Sequence, residues 1–307
     1  MFLFKRIQCR NVNSIRFSRK LSIPRKDSGN DVNLSTGLGI GIFSGVLGSL
    51  CGVGGSLVIV PALKQFTNLT IHRITGTSLA AVTVGSLFGS FSYISQGIAD
   101  IGIASLLGFS AIFSSKLGVS VGLKLSKKTL QRILAAFMLC NVPSLVRERI
   151  PEANTKGILI PNAEASSTKR QWQFYLGRRA PTVETFPQWL KDNYQYCFVG
   201  VFTGFSTALL GVGGGIIMTG VLGAFSPLTQ HEAVATSLVA MVPVGLSSAI
   251  WHFKAHNVRL RSAGIIGGGS AVMMLAGATY IAPKVDESVL RRIFAVLLSL
   301  SAIQMLR

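Results

Sequence analysis

Residues 41–55 read GIFSGVLGSLCGVGG, and residues 200–214 read GVFTGFSTALLGVGG. Set 159 positions apart, the two stretches align Gly41 with Gly200, Gly45 with Gly204, and Gly52-Val53-Gly54-Gly55 with Gly211-Val212-Gly213-Gly214. The register continues without a gap. Thr70 and His72 meet Thr229 and His231, and Thr77-Ser78-Leu79 meets Thr236-Ser237-Leu238. From 41 to 83, 17 of 43 positions are identical, so the chain reads as two copies of one unit.

Composition fixes the solvent of both copies. Charged residues make up 13% of the 307 positions, against roughly a quarter in a soluble domain. Apolar residues reach 49%, glycine adds 33 more, and the mean hydropathy is +0.50. These values exclude a soluble enzyme, a disordered tail or a collagen-like repeat and indicate an all-α, polytopic helical membrane protein. The net charge of +19 suggests nucleic acid until its placement is read. Eight of the 30 basic residues lie at 1–26, before the first acid at Asp27. Interleaved with Phe2, Phe4, Ile15, Phe17 and Leu21, this segment (1–30) is expected to be a mitochondrial transit peptide rather than a secretory signal, which needs an uninterrupted apolar stretch. The alternative is a basic tail that orients the first span. Cys9, Cys51, Cys140 and Cys197 have neither disulfide-framework nor zinc spacing, and neither a metal nor a cofactor is expected.

A helix needs about 20 apolar residues to cross the hydrocarbon core. Charge-poor intervals give eight candidates in two sets of four. The first set, within 34–146, runs from Asp31 to Lys64, Arg73 to Asp100, Ile101 to Leu123, and Leu130 to Val146. The second, within 193–307, comprises Asn193 to Gly223, Ala233 to Phe253, Ser262 to Pro283, and Val289 to Leu306. Between them, the loop 147–192 carries four prolines and Trp172, Phe174, Tyr175 and Trp189, aromatics suited to a membrane interface. Repeats of several helices are a construction of secondary transporters. Four plain crossings per copy would make the copies parallel, and a re-entrant first segment would invert them; the sequence leaves both open.

The first interval holds 32 uncharged residues, and as one helix it would reach about 48 Å. Something interrupts it. Glycine costs about 1 kcal/mol in a helix interior, so Gly52, Gly54 and Gly55, with Gly211, Gly213, Gly214 and Gly215 in the second copy, are the expected breaks. A broken helix in a bilayer must have its freed backbone groups covered by protein or facing a cavity, and the half-helix N-terminus then presents N–H groups to an anion. Gly37, Gly41 and Gly45 read instead as a close-packing seam.

Thr229 and Glu232 form a capping box, of which the first copy keeps only Thr70. Two turns further in, Thr77, Ser78, Thr236 and Ser237 offer hydroxyls to a permeating oxyanion. From Ser78, the small or polar positions Gly85, Gly89, Ser92 and Gln96 recur at helical spacing, either lining a path or forming a packing seam. His72 and His231 read as interfacial or capping residues. Lys116 is the charge set deepest in a span, snorkelling or facing inward, while His252 and Lys254 close the sixth span. No HExxH pair or Asp dyad indicates an embedded hydrolase, and no carboxylate is expected at mid-membrane, so an anion would move on the membrane potential.

Two units that each open with a GxGG segment and continue into Thr-x-His and Thr-Ser-Leu resemble the sulfite exporter TauE/SafE family of membrane permeases, over residues 34–307 apart from the central loop. Ser56 departs from the second copy's third glycine, Gly215, and Gly220 stands opposite Pro61. The resemblance implies export of a small anion such as sulfite, a sulfonate or another organosulfur anion, without a prosthetic group, from a multi-pass protein whose partners are the lipid bilayer and its substrate and not nucleic acid. With the transit peptide, the expected location is the mitochondrial inner membrane. The alternative from another class is a non-transporting membrane scaffold or assembly factor that binds a partner through loop 147–192.

Overall fold

The computed structural model describes residues 32–126, 193–226 and 228–285, with isolated helical positions beyond them. The basic segment 1–30, the loop 147–192 and the candidate spans Leu130 to Val146 and Val289 to Leu306 lie outside the described residues, apart from such isolated positions. Among the described residues every regular element is a helix.

The helices are α1 (Leu34–Cys51), α2 (Ser56–Phe66), α3 (Ile71–Ser95), α4 (Ile101–Lys124), α5 (Gln195–Leu210), α6 (Gly215–Phe225), α7 (Gln230–Lys254) and α8 (Leu260–Ala276). α8 runs on through one wide π turn at Gly277–Ile281 and a tight turn at Ala282–Lys284. Both bounds of α2 recur 159 positions later in α6, and those of α3 in α7. Their ends follow from local chemistry. Gly52 (φ 69°) and Gly211 (φ 72°) end α1 and α5 in the left-handed region that L side chains avoid, and each N–H closes the last turn. Asp100 caps α4 by accepting from Ile103 N–H at 3.1 Å. Thr229 and Glu232 make the expected capping box on α7, while Thr70 makes no side-chain cap.

Five helical stretches are long and apolar enough to cross a membrane: α1, α3, α4, α7, and α8 extended to Ile281. The polar residues have gone inside. Phe113 is 80% exposed, whereas Thr77, Ser78, Thr236 and Ser237 are 0% exposed. A lipid solvent permits that distribution because hydrocarbon rewards the phenyl rings and forces hydroxyls to find partners within the bundle.

The most extensive helix packing joins the two sets: α5 on α4, α1 on α8, and α3 on both α8 and α7. Glycine makes this possible. A Cβ on Gly41 would stand 2.5 Å from the Ile266 carbonyl, and one on Gly204 2.5 Å from Ser114 Oγ and 2.6 Å from Ala111 Cα. The expected Gly37, Gly41 and Gly45 seam is thus α1 against α8. Contacts between α1 and α8 climb together, Gly41 by Ile266 and Gly45 by Met273, as do those between α4 and α5, Leu107 by Gly200 and Leu209 by Gly122. Between α3 and α7 they run opposite ways, since Thr83 meets Gly245 while Ser90 Oγ–H donates to Leu238 O at 2.9 Å. Among the described helices, α1, α3 and α8 therefore point one way and α4, α5 and α7 the other. Elements 159 positions apart are antiparallel, the arrangement left open by the sequence.

Candidate functional site

The first candidate span of each set is not a single crossing. α1 stops at Gly52 and the chain turns back within four residues, so that Gly55 N would lie 2.6 Å from a Cβ on Gly48, inside α1. α2 then returns toward the side where α3 begins. The second set repeats the reversal, with a Cβ on Gly214 standing 2.5 Å from Thr207 Oγ1 of α5. Gly54 (φ 65°) and Gly213 (φ 58°) sit at the centre of the two turns in conformations closed to larger residues. All seven glycines named from the sequence, Gly52, Gly54, Gly55, Gly211, Gly213, Gly214 and Gly215, are buried.

The two breaks meet. A Cβ on Gly54 and a Cβ on Gly213 would each lie 2.7 Å from the same atom, Met241 Cε of α7. Ser56 Oγ–H reaches Val212 O across the meeting point as well as its own Val53 O at 3.2 Å. The freed carbonyls are satisfied by exchange. Ser78 Oγ–H donates to Gly211 O at 3.3 Å, and Ser237 Oγ lies 3.0 Å from Gly52 O. Ser237 also lies 2.8 Å from Val234 O and accepts from Thr219 Oγ1–H at 2.9 Å. One turn before each break, Tyr93 OH donates to Ser49 O at 2.8 Å, and His252 Nε2 donates to Ala208 O at 2.9 Å. The Ser78 and Ser237 bonds to the breaks correspond at 159 positions, as do those of Tyr93 and His252, and each of the two serines bonds the other set's break.

Thr77 and Thr236 act one step further out. Thr77 Oγ1 accepts from Arg259 N–H at 3.1 Å, and Thr236 Oγ1 from Asp100 N–H at 2.9 Å, so each threonine ties down the start of the other set's fourth helix. The stripe of Gly85, Gly89, Ser92 and Gln96 is a packing seam on α8 and its π turn: Gly85 and Gly89 face Met274, Ser92 Oγ pairs with Thr279 Oγ1 at 2.9 Å, and Gln96 Nε2–H donates to Ala278 O at 3.2 Å. Lys116 is exposed and snorkels over Trp251, its Nζ 5.2 Å from the ring centroid, with Lys254 Nζ 4.6 Å from the same ring.

Sequence reasoning missed Tyr93, Met241, Ser86 and Thr207; His252 lies at the end of its span as expected, in the last turn of α7, and is buried there against α5. Ser86 Oγ and Thr207 Oγ1 are buried without a hydrogen-bond partner, and each faces a break glycine, Gly54 and Gly214. Asp100 is a buried carboxylate, held at the start of α4 rather than within a span. The available signal was the 159-position alignment, which pairs Tyr93 with His252 and Val82 with Met241. No group of three or more metal-ligating side chains occurs among the described residues.

A helical membrane protein of several spans, with two broken helices packed against each other at its core, is the class that fold and site define. The chain belongs to the sulfite exporter TauE/SafE family, which matches residues 3–145 and 196–307. A probable membrane transporter protein of Methanocaldococcus jannaschii is 30% identical over 107 residues, 32% of this chain and 40% of that protein. One of Bacillus subtilis is 29% identical over 116 residues, 38% of this chain and 42% of that protein. The match thus spans less than half the length of these relatives. No solved structure matches.

Proposed function

We propose that this protein is a permease carrying a small anion, sulfite, a sulfonate or another organosulfur anion, past the point where the two helix breaks meet. The observation that carries the reading is the exchange at that point, where Ser78 holds Gly211 O and Ser237 holds Gly52 O. Two re-entrant segments locked tip to tip, each by the other set, bring the first turns of α2 and α6 into the interior of the bundle. Helix N-termini carry partial positive charge and unsatisfied N–H groups, which suit an anion. The chain is then an inverted duplication, with the site where the copies cross. α4 ends and α5 begins on opposite faces, and this reading needs one crossing between them, which the sequence offers at Leu130 to Val146. Membership of the family supports transport as the activity, and the basic segment 1–30 supports the mitochondrial inner membrane as its place; a reporter fused to that segment and found in the cytosol would remove the second point.

The anion is driven by the membrane potential, worth about 2.3 kcal/mol per charge per 100 mV. The test is flux of labelled sulfite in proteoliposomes clamped by a potassium diffusion potential at equal pH on both sides. Flux that follows the imposed voltage is expected. Flux that ignores voltage and requires a proton gradient would transfer the coupling to His72, His231 or Glu232, and absence of flux would overturn transport of sulfite.

A further inference from the structure

Where two inverted elements cross, one central position cannot be filled twice. Residues nearest that point are therefore where the two copies must differ, and besides Ser56, which stands opposite Gly215, two more residues there do. Met241 of α7 corresponds at 159 positions to Val82 of α3, and Ser86 of α3 to Gly245 of α7. The long thioether and the hydroxyl each occur once.

Met241 is 1% exposed, and its methyl fills the space between the breaks, 2.7 Å from where a Cβ of either Gly54 or Gly213 would be. Its Sδ lies 2.7 Å from the Cβ position of Gly215, at the start of α6. Ser86 is fully buried, and its Oγ, which has no hydrogen-bond partner, stands 3.0 Å from the Cβ position of Gly54. An orphaned buried hydroxyl is a cost the fold bears for a reason other than stability. Methionine is unbranched and turns about three bonds, so its end can leave a space that a valine or leucine would hold permanently.

We infer, building on the transport reading above, that the anion binds in the space now filled by the Met241 methyl, with the Ser86 hydroxyl as its donor and Met241 as a retractable plug. A methyl group and an oxyanion oxygen are close in size, so one oxygen of a sulfite or sulfonate group takes the place of the methyl. The groups lining this space, glycine backbone, the Ser86 hydroxyl, the Ser56 hydroxyl already bonded to Val212 O, a thioether and Val82, carry no charge. Neutral donors hold an anion less tightly than charge-assisted ones, which suits a carrier that must release its cargo. The ligand class is a small oxyanion whose remaining substituents are compact.

The experiment uses the purified full-length protein with two readouts, the thermal stabilisation given by sulfite in detergent and the kinetics of labelled sulfite flux in proteoliposomes. Ser86→Ala is expected to raise KM about tenfold and to remove most of the sulfite-induced shift in Tm, with Ser86→Thr restoring both. Met241→Ala is expected to speed flux and admit benzenesulfonate, and Met241→Phe to stop flux in a protein that still inserts and runs as a single species. Wild-type KM and Tm shift in Ser86→Ala, together with wild-type flux in Met241→Phe, would overturn the inference. A sulfite-induced Tm shift that depends on Ser86 in a protein that carries no sulfite would keep the binding site and reject only the transport reading.

Discussion

The two helix breaks share a backbone path but reach it by different means. In the first, Gly52, Gly54 and Gly55 are all left-handed, with Gly55 at φ 79° capping α2. In the second, only Gly211 and Gly213 are left-handed, and Gly214 caps α6 at φ −65°, an ordinary helical value. The neighbours differ in step. Gly48 lies against the first turn where Thr207 lies against the second, and Ser56 reaches across where Gly215 leaves room for the Gly52 carbonyl. The clamping serines are unequal too: Ser78 makes one long bond to the second break, whereas Ser237, which bonds the first, belongs to a group with Thr219 and Val234 O. The same reversal therefore tolerates two sets of contacts, and the features common to both are the left-handed glycines and the crossed serine bonds. Those shared features are what the reversal requires.

The largest expected effect tests what the breaks share. Gly54→Leu and Gly213→Leu should each abolish sulfite flux, because both positions are left-handed and both side chains would drive into the Met241 methyl. Full flux in both, in protein inserted at wild-type level, would make the central glycines a packing matter only.

Next comes the pair that separates the breaks. Gly55→Ala must bear the left-handed penalty of roughly 1–2 kcal/mol and also press on the Ser44 backbone. Gly214→Ala carries no such penalty and meets the side chains of Thr203 and Thr207, which can turn. Thermal unfolding in detergent should show the larger loss for Gly55→Ala, and Thr203→Ser should partly rescue Gly214→Ala. Equal losses with no rescue would mean that the two caps do the same work.

A smaller difference is expected at the outer ties. Thr236→Val removes the acceptor of a buried backbone N–H at Asp100, about 1–3 kcal/mol. Thr77→Val does the same at the half-buried Arg259 and should cost less. Both should slow flux less than the leucine variants, and a loss of flux as complete as theirs would move these threonines into the anion path. The smallest effect is Ser56→Gly, which makes the first break like the second at the loss of one cross-set hydrogen bond, about 0.5–1.5 kcal/mol. A fall in Tm no greater than that of a surface serine substitution would show the bond to Val212 O to be dispensable.

Much of this was readable along the chain. The GxGG runs located both breaks, because a span too long for the bilayer must fail at its weakest helix formers. Gly37, Gly41 and Gly45 announced a close helix contact, and Thr229 with Glu232 announced a helix start. The threonines and serines after each break were expected to offer hydroxyls to a permeating anion; they are buried and bonded to backbone, and those partners were not readable. Thr77 bonds a residue 182 positions away and Ser237 one 185 positions away, and no local pattern encodes such pairings. His252 was placed at the end of its span, which is where α7 puts it, but its bond into α5 depends on how the helices pack and was not readable.

By itself the sequence determined the solvent, the helical class, the recurrence of the 41–83 pattern at 200–242 and the places where the first helix of each set had to break. These follow from composition and from backbone propensity, which act within a few residues. The tertiary structure alone decided that the recurring elements run in opposite directions, that each break is held by the other set's serine, and that Met241 rather than Val82 fills the crossing. Those outcomes depend on which surfaces meet once polar groups excluded from hydrocarbon must find acceptors inside the bundle, and that choice is made between residues more than a hundred positions apart.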